Sequence, residues 1–210
     1  SLKVSVVIAN YNSSLYIQQC IDSLNSQTYK NLEIIFFDDN SSDNSLDIIK
    51  KFSNVKVIEN KVQTKFGSIN QLNAFKKAVE ISDGDIIFLL DGDDYFKNEK
   101  IEKVVHYFQD NKKANIVFDY PIMVEGDKIL NVRARNNIFK TYWPYIHPTS
   151  CISIKRDCFN ELIKFISIKD FTDVWIDLRI CLFSKYILKE FHILKENLTF
   201  YRKTNSNISS

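Results

Sequence analysis

Three carboxylates, Asp91, Asp93 and Asp94, follow an unbroken apolar run from Ile86 to Leu90. Carboxylates this close cost each other free energy unless a cation or hydrogen-bond donors compensate. Their hard oxygens suit Mg²⁺ or Mn²⁺, ions that keep several waters and commonly bind substrate phosphates as well. A second acidic pair, Asp38-Asp39, ends another apolar run, and Asn10-Tyr11-Asn12 ends a third. Carboxylates in such places can accept hydrogen bonds from a ribose or a base edge, and a tyrosine can stack on a base. Each feature also has a plainer reading. Asp-Gly-Asp-Asp is good turn chemistry, Asp38 and Asp39 compete with Ser41, Ser42 and Asp43 to cap a following helix, and Tyr11 reads equally as a surface turn aromatic.

The elements that must position these groups follow from the apolar spacing. Val4 to Ala9, Leu32 to Phe37, Val55 to Ile58, Ile86 to Leu90 and Ile116 to Tyr120 are short runs that predict strands, with Leu32 to Phe37 and Ile86 to Leu90 reading as buried. Between them, Ile17, Cys20, Ile21 and Leu24, then Leu46, Ile49 and Phe52, then a stretch from Ser68 to about Ile81, recur at helical spacing. Asn98 to Asn111 predicts a fourth helix, with Ile101, Val104, Val105 and Phe108 facing inward. Strands alternating with helices predict an α/β fold with a Rossmann-like, mostly parallel sheet, and parallel strands put the three polar ends on one edge. Beyond residue 120 the pattern loosens. Met123 to Val132 predicts a hairpin, Phe139 to Pro148 is aromatic and irregular, and Cys151 to Ile154 predicts a short strand. Helices are expected from Asp157 to Ile166 and from Asp173 to about Lys185, and strands at Ile187 to Ile193 and Leu198 to Tyr201. The expectation is one domain over residues 1–210, in which 1–120 hold a nucleotide and 121–210 shape the site of a second substrate.

Composition narrows the function classes. The 210 residues are 45% hydrophobic and 13% aromatic with only 4 Gly and 3 Pro, which argues for a packed core and against disorder. A net charge of +2 is too balanced for a nucleic-acid binder. Cys20, Cys151, Cys158 and Cys181 show no Cys-x-x-Cys spacing, so buried thiols in a reducing compartment are expected rather than structural zinc. No apolar stretch approaches the ~20 residues that span a bilayer, and the start has no signal-peptide pattern. A cytoplasmic protein is expected, with room for peripheral contact at the inner face of a membrane. Neither Gly-x-Gly-x-x-Gly after the first strand nor Gly-x-x-x-x-Gly-Lys-Ser/Thr occurs, which counts against nicotinamide enzymes and P-loop ATPases.

Four motifs in order resemble family 2 glycosyltransferases of the GT-A fold: Val4 to Asn12 their opening strand, Phe37 to Asp43 their second motif, Asp91 to Asp94 their Asp-x-Asp metal motif, and Tyr201-Arg202 a C-terminal signature. Gly67 and Asn73 sit where that family often has a Gly and an Asn. The resemblance implies an inverting, metal-dependent transferase moving a sugar from a nucleotide-diphosphate donor, UDP by preference, to a hydroxyl of a saccharide or glycolipid acceptor. It implies that Ala9, Tyr11, Asp39, Gly67 and Asp91 belong to the donor site, with Asp39 on the base and Asp91 on the ribose. Asp93 would ligate Mn²⁺ or Mg²⁺ and Asp94 would support the loop. The family places the acceptor base in a Glu-Asp pair with an Arg six residues after the Asp; here Thr172-Asp173 precedes Arg179, so the base would be Asp173, with Asp170 and Asp177 as rivals. Asp177 is expected to pair with a neighbour such as Arg179 or with a solvent cation, and Trp175 to pack beside the base.

The chain also departs from the family. Leu72 stands where many relatives have an Arg, and Thr204 where many have a His that can join the metal. Lys65 could replace the missing base or phosphate contact, against the plainer reading of a solvated lysine. His147 reads as an acceptor-side group or a core histidine, and Tyr142, Trp143 and Tyr145 as a sugar platform or core packing. Two alternatives stand beside the transferase: a catalytically silent sugar- or nucleotide-binding domain of a larger synthase, and a metal-dependent nucleotidyltransferase.

Overall fold

A computed structural model describes residues 1–126, 128–131, 146–167 and 171–204. Strand β1 (Val4–Asn10) lies between β2 (Leu32–Asp39) and β4 (Ile86–Asp91), and β3 (Val55–Asn60) flanks β2, all four in parallel. Helices α1 (Ile17–Asn25), α2 (Ser45–Ile49) and α3 (Gly67–Glu80) make the connections. The chain runs outward from β1 through β2 to β3, then returns to the other side of β1 as β4. That reversal is the topological switch point at which open α/β sheets bind ligands.

The second half extends the same sheet with mixed directions. After the two-residue β5 (Tyr95–Phe96) and helix α4 (Lys100–Asp110), β6 (Ile116–Glu125) makes a hairpin with β7 (Lys128–Asn131). A 3-10 turn (Thr149–Cys151) leads into β8 (Ile152–Lys155), which runs antiparallel between β4 and β6. Helices α5 (Arg156–Ile166) and α6 (Ile176–Leu182), then a π-helical turn (Phe183–Leu188), precede β9 (His192–Arg202), which joins β6 to β5. Among the described residues the sheet order is β3-β2-β1-β4-β8-β6-β9-β5, with β7 beyond β6.

Alternate side chains of the central strands enter two separate cores, which explains the unbroken apolar runs. Val7, Ile35, Phe37, Ile87 and Leu89 pack with Leu72, Phe75, Phe159, Leu162 and Ile180. Val6, Ile8, Ile34, Phe36, Phe88 and Leu90 pack on the other face with Ile17, Ile21, Leu24, Ile101 and Val105. The four cysteines are buried thiols, as expected. No helix among the described residues is long and apolar enough to cross a membrane.

Three expectations need correction. The first, second and fourth strands extend into their polar ends, because the backbone ladder continues through Asn10–Asp38, Asp39–Asn60 and Ala9–Asp91 whatever the side chains are. The two strands expected after residue 187 are one, β9, and Ile187 belongs to the π-helical turn. The helix expected from Asp173 begins only at Ile176. Asp170, Tyr142, Trp143, Tyr145 and most of the irregular stretch from Phe139 lie outside the described residues.

Candidate active site

The carboxyl ends of β1, β2 and β4 place Asn10, Asp38, Asp39 and Asp91 on one sheet edge. Asp38 is fully buried and locks the loop behind it. Its Oδ1 accepts from Asn10 Nδ2 (2.9 Å) and Ser41 Oγ (2.6 Å), and its Oδ2 from the Ser41 N–H (3.0 Å). Neither Asp38 nor Asp39 caps α2, whose N-cap is Asn44 without a side-chain cap; Asp43, one residue before it, accepts from the Ser45 N–H at 2.9 Å. Asp39, at 6% exposure, accepts from Asn60 Nδ2 (2.7 Å) and Gln63 Nε2 (2.9 Å), so two amides fix its plane at the strand end. Tyr11 stands 55% exposed just beyond β1. Ala9 lies beside both Phe37 and Asp91 in register, and its carbonyl accepts from the Gly92 N–H at 2.9 Å. Lys65 is exposed, with its ammonium 5.0 Å from the Phe66 ring centre.

The acidic turn after β4 is held at every point. Asp91 Oδ1 accepts from Gln71 Nε2 (2.9 Å), its N–H donates to Ser150 Oγ (3.0 Å), and its carbonyl accepts from the Asp94 N–H (3.0 Å). Asp94 faces inward: Oδ2 accepts from Ser150 Oγ (2.6 Å) and Oδ1 from the Arg202 N–H (2.8 Å). Arg202 Nε donates to the Asp93 carbonyl (2.9 Å), and its guanidinium lies 4.4 Å from the Tyr16 ring centre. Gly92 leaves no room for a side chain, since a Cβ there would sit 2.5 Å from Asn10 Oδ1.

Electrostatics separates the acids. Burial, then the charge of Asp93, pushes the Asp91 carboxyl up to about 8, although the Gln71 amide opposes this. Burial, then Asp93, then Asp91 raises Asp94 as well. Asp93 is thus the charge that both neighbours resist. Among the described residues no group of three His, Cys, Asp or Glu could hold a metal by protein ligands alone. The donor set at the turn is oxygen only, hard, and electrostatically short of positive charge. It fits a divalent cation that takes its remaining ligands from phosphate and water.

The segment carrying Asp173 approaches from the other half. Ser68 Oγ, at the start of α3, donates to the Thr172 carbonyl. Gly67 opens α3 beneath the Trp175 ring, with a Cβ position only 3.1 Å from Trp175 Cη2. Asp173 is exposed in the turn between these two contacts. Arg179 donates to the carbonyls of Val174 (2.7 Å), Ile166 (2.6 Å) and Phe171, holding the turn from beneath. The guanidinium is engaged there, while the Asp177 Oδ1 accepts from the Leu178 N–H (2.7 Å), so the expected pairing with Arg179 is replaced by backbone contacts. Asp177 is instead a further member of the acidic group. Its carboxyl is raised by burial, and its charge contributes to the upward shift of Asp91. His147 is fully buried, with Nδ1 2.7 Å from the Asp119 carbonyl and its ring against Phe118 and Tyr120. That is the core reading, and burial lowers its pKa to about 4.

Sequence reasoning missed the residues that hold the acids. Gln71, Asn60, Gln63 and Ser150 carry no local signal, because their partners are remote in sequence. Lys100 did carry one. It precedes Val104 and Phe108 by one and two helical repeats, so it shares their buried face.

Comparison with known proteins agrees with this architecture. The sequence model of Glycosyl transferase family 2 matches residues 5–176. The UDP-Glc:alpha-D-GlcNAc-diphosphoundecaprenol beta-1,3-glucosyltransferase WfaP of Escherichia coli is 38% identical over 117 residues, covering 56% of this chain and 44% of that protein. Among solved structures, residues 1–349 of S. aureus TarS in complex with UDP superpose with a TM-score of 0.72 at 17% identity, covering 97% of this chain and 61% of that one. The mannosyltransferase PcManGT of Pyrobaculum calidifontis, in complex with GDP-Man and Mn²⁺, gives a TM-score of 0.64 at 15% identity, covering 93% and 55%. The structural likeness establishes the GT-A fold. The chain spans about two thirds or less of the length of the first curated relatives it matches.

Proposed function

The chain belongs to glycosyl transferase family 2, and on that premise we propose that it transfers a sugar, with inversion, from a UDP-sugar to a hydroxyl of a saccharide or glycolipid acceptor. One observation carries the reading. Tyr11, Asp39 and Asp91 end adjacent parallel strands at the switch point, and Asp93 follows directly in a turn fixed from below. The named activity of the E. coli relative, on a diphosphoundecaprenol-linked sugar, and the UDP bound by TarS support the donor and acceptor classes.

In this reading Tyr11 stacks on the base, Asp39 accepts its N–H groups, and Ala9, Gly67 and Lys65 line the donor site. Asp91 accepts from the ribose. Asp93 would hold Mn²⁺ or Mg²⁺, which supplies charge stabilisation for the departing diphosphate. Asp173, exposed in a turn pinned to α3, takes the proton of the acceptor hydroxyl as that oxygen bonds the anomeric carbon and the bond to the diphosphate breaks. The residues form one catalytic domain, with the donor on 1–120 and the acceptor on 121–210. It works in the cytoplasm, where a lipid-linked acceptor would bring it to the inner face of a membrane.

Donor hydrolysis measured across a panel of nucleotide sugars with Mn²⁺ tests the reading. Activity should appear with a UDP-sugar and vanish in Asp93→Ala; turnover that is indifferent to both metal and Asp93 would refute it. Asp173→Asn should keep UDP binding and lose transfer. The burial of Asp177 beside Asp91 favours one rival, so Asp177→Asn belongs in the same assay. Loss of transfer there, with Asp173→Asn active, would move the base to Asp177.

A further inference from the structure

Ser150 is fully buried in the 3-10 turn before β8, far in sequence from the acidic turn that it touches. Its hydroxyl has one proton and two acceptor positions. The proton goes to Asp94 Oδ2 at 2.6 Å, and one acceptor position takes the Asp91 N–H at 3.0 Å. A single oxygen therefore clamps the first and last residues of Asp91-Gly92-Asp93-Asp94. The clamp is itself anchored. The Ser150 carbonyl accepts from Lys100 Nζ (2.6 Å), and Thr199 Oγ1 lies 3.2 Å from it. Lys100, wholly buried, also donates to Thr199 Oγ1 (2.6 Å) and pairs with Asp119 Oδ2 (2.7 Å). Thr199 Oγ1 donates in turn to Asp119 Oδ1 at 2.7 Å.

We propose that Ser150 is a positioning residue for donor binding: seated on the Lys100–Asp119–Thr199 cluster, it sets the geometry in which Asp91 and Asp93 meet the nucleotide diphosphate and its cation. The inference rests on the donor reading of the acidic turn. It adds that the geometry of the turn is imposed from beneath, through a hydroxyl that touches neither substrate nor metal. The charge-assisted contact of the Lys100 ammonium to the Ser150 carbonyl is short and strong, so it resists movement of the serine backbone with the turn.

The test uses the whole chain with UDP and Mn²⁺ as the probe. Two quantities are read: UDP affinity by calorimetry, and amide hydrogen exchange across residues 91–94 without ligand. Ser150→Ala should weaken UDP·Mn²⁺ binding about tenfold, the scale of one lost hydrogen bond to a carboxyl group. It should also speed exchange at 92–94 while leaving β1 to β3 protected. Ser150→Thr, which keeps the hydroxyl, should bring both readouts back toward wild type. Thr199→Val, isosteric but without the hydroxyl, should shift them the same way by a smaller factor, and Thr199→Ser should not; this pair decides the matter if Ser150→Ala does not fold. A lower melting temperature in Ser150→Ala with unchanged UDP affinity and unchanged exchange would overturn the proposal and leave Ser150 a packing residue. Failure of the wild-type chain to bind UDP with Mn²⁺ would instead refute the donor reading, and this inference with it.

Discussion

Replacing Lys100 by Met should cost about 3–5 kcal/mol of stability, because it removes one partner of a buried ion pair. Lys100 is 0% exposed and Asp119 1%, so neither charge has water to fall back on. Burial already holds the Asp119 carboxyl above its ordinary range despite the ammonium 2.7 Å away, so attraction does not fully offset desolvation. Without the lysine, that carboxyl keeps the Thr199 hydroxyl as a donor, with no cation to balance its charge among the described residues. Against a total stability of about 5–15 kcal/mol, and at about 2–4 °C per kcal/mol for a chain of this size, the melting temperature should fall by about 6–20 °C. The double variant Lys100→Met with Asp119→Leu should behave differently. Both charges are gone, and Thr199 Oγ1, already 3.2 Å from the Ser150 carbonyl, can donate there instead. Replacing a whole buried pair by apolar side chains is often neutral or stabilising by about 1–4 kcal/mol. The assay is urea denaturation at pH 7 without ligand, comparing midpoints and slopes for wild type, single and double variants. A cost under about 1 kcal/mol for the single variant, as for a surface pair, or a double variant no better than the single, would refute the reasoning.

Asp91, raised to about 8, holds a proton that must leave before its carboxylate can accept from the ribose, so UDP·Mn²⁺ affinity should rise about tenfold per pH unit from 6 toward 8 and then level off; calorimetry in two buffers of different ionisation heat should detect proton release at pH 7, and a flat profile counts against the assignment. In the metal-free protein the same group contributes stability that is full below about pH 4 and is lost as pH rises to about 8. His147 has the opposite sign: lowered to about 4, it contributes stability that is full above about 6.5 and is lost as pH falls toward 4. His147→Phe should therefore lose less stability than wild type between pH 7.5 and 4.5 in urea titrations. Gly92→Ala would drive a methyl to within 2.5 Å of Asn10 Oδ1, and Asn10 cannot retreat while its amide serves Asp38 and Ser41. It should lose about 1–3 kcal/mol in melting experiments and bind UDP more weakly; unchanged binding would show that the turn tolerates displacement.

The parallel half of the fold is legible in the sequence because its three central strands, β1, β2 and β4, are buried on both faces. Ile86 to Leu90 has no polar residue to blur its edges, and in β1 and β2 only Ser5 and Glu33 interrupt the apolar run. What the pattern misses is set by partners remote in sequence. The apolar spacing of Val174, Leu178, Cys181 and Leu182 suits a helix from Asp173, yet Arg179 and Ser68 take the carbonyls of Val174, Phe171 and Thr172 that an earlier helix start would rearrange. β5 is only two residues long and exists because β9 pairs with it. Asp38 and Asp39 look equivalent as a dipeptide, but alternation sends one into the Asn10–Ser41 lock and the other toward Asn60 and Gln63.

Arg202 reaches back 108 residues to close the acidic turn through its backbone N–H. Closure over such a distance is late in any folding sequence, since the entropy of a long loop must be lost before the contact repays it. Strands β1 to β4, with all the acids of the donor edge, leave the ribosome well before β9. A nascent chain thus displays the carboxylates before anything holds Asp94 inward or Asp93 in register. On the donor reading, affinity arrives with β9, and ligand present at that moment stabilises only chains that have formed it, by mass action. The turn in this way makes nucleotide binding wait on the emergence of β9, and chains truncated before β9 should neither bind donor nor be rescued by it.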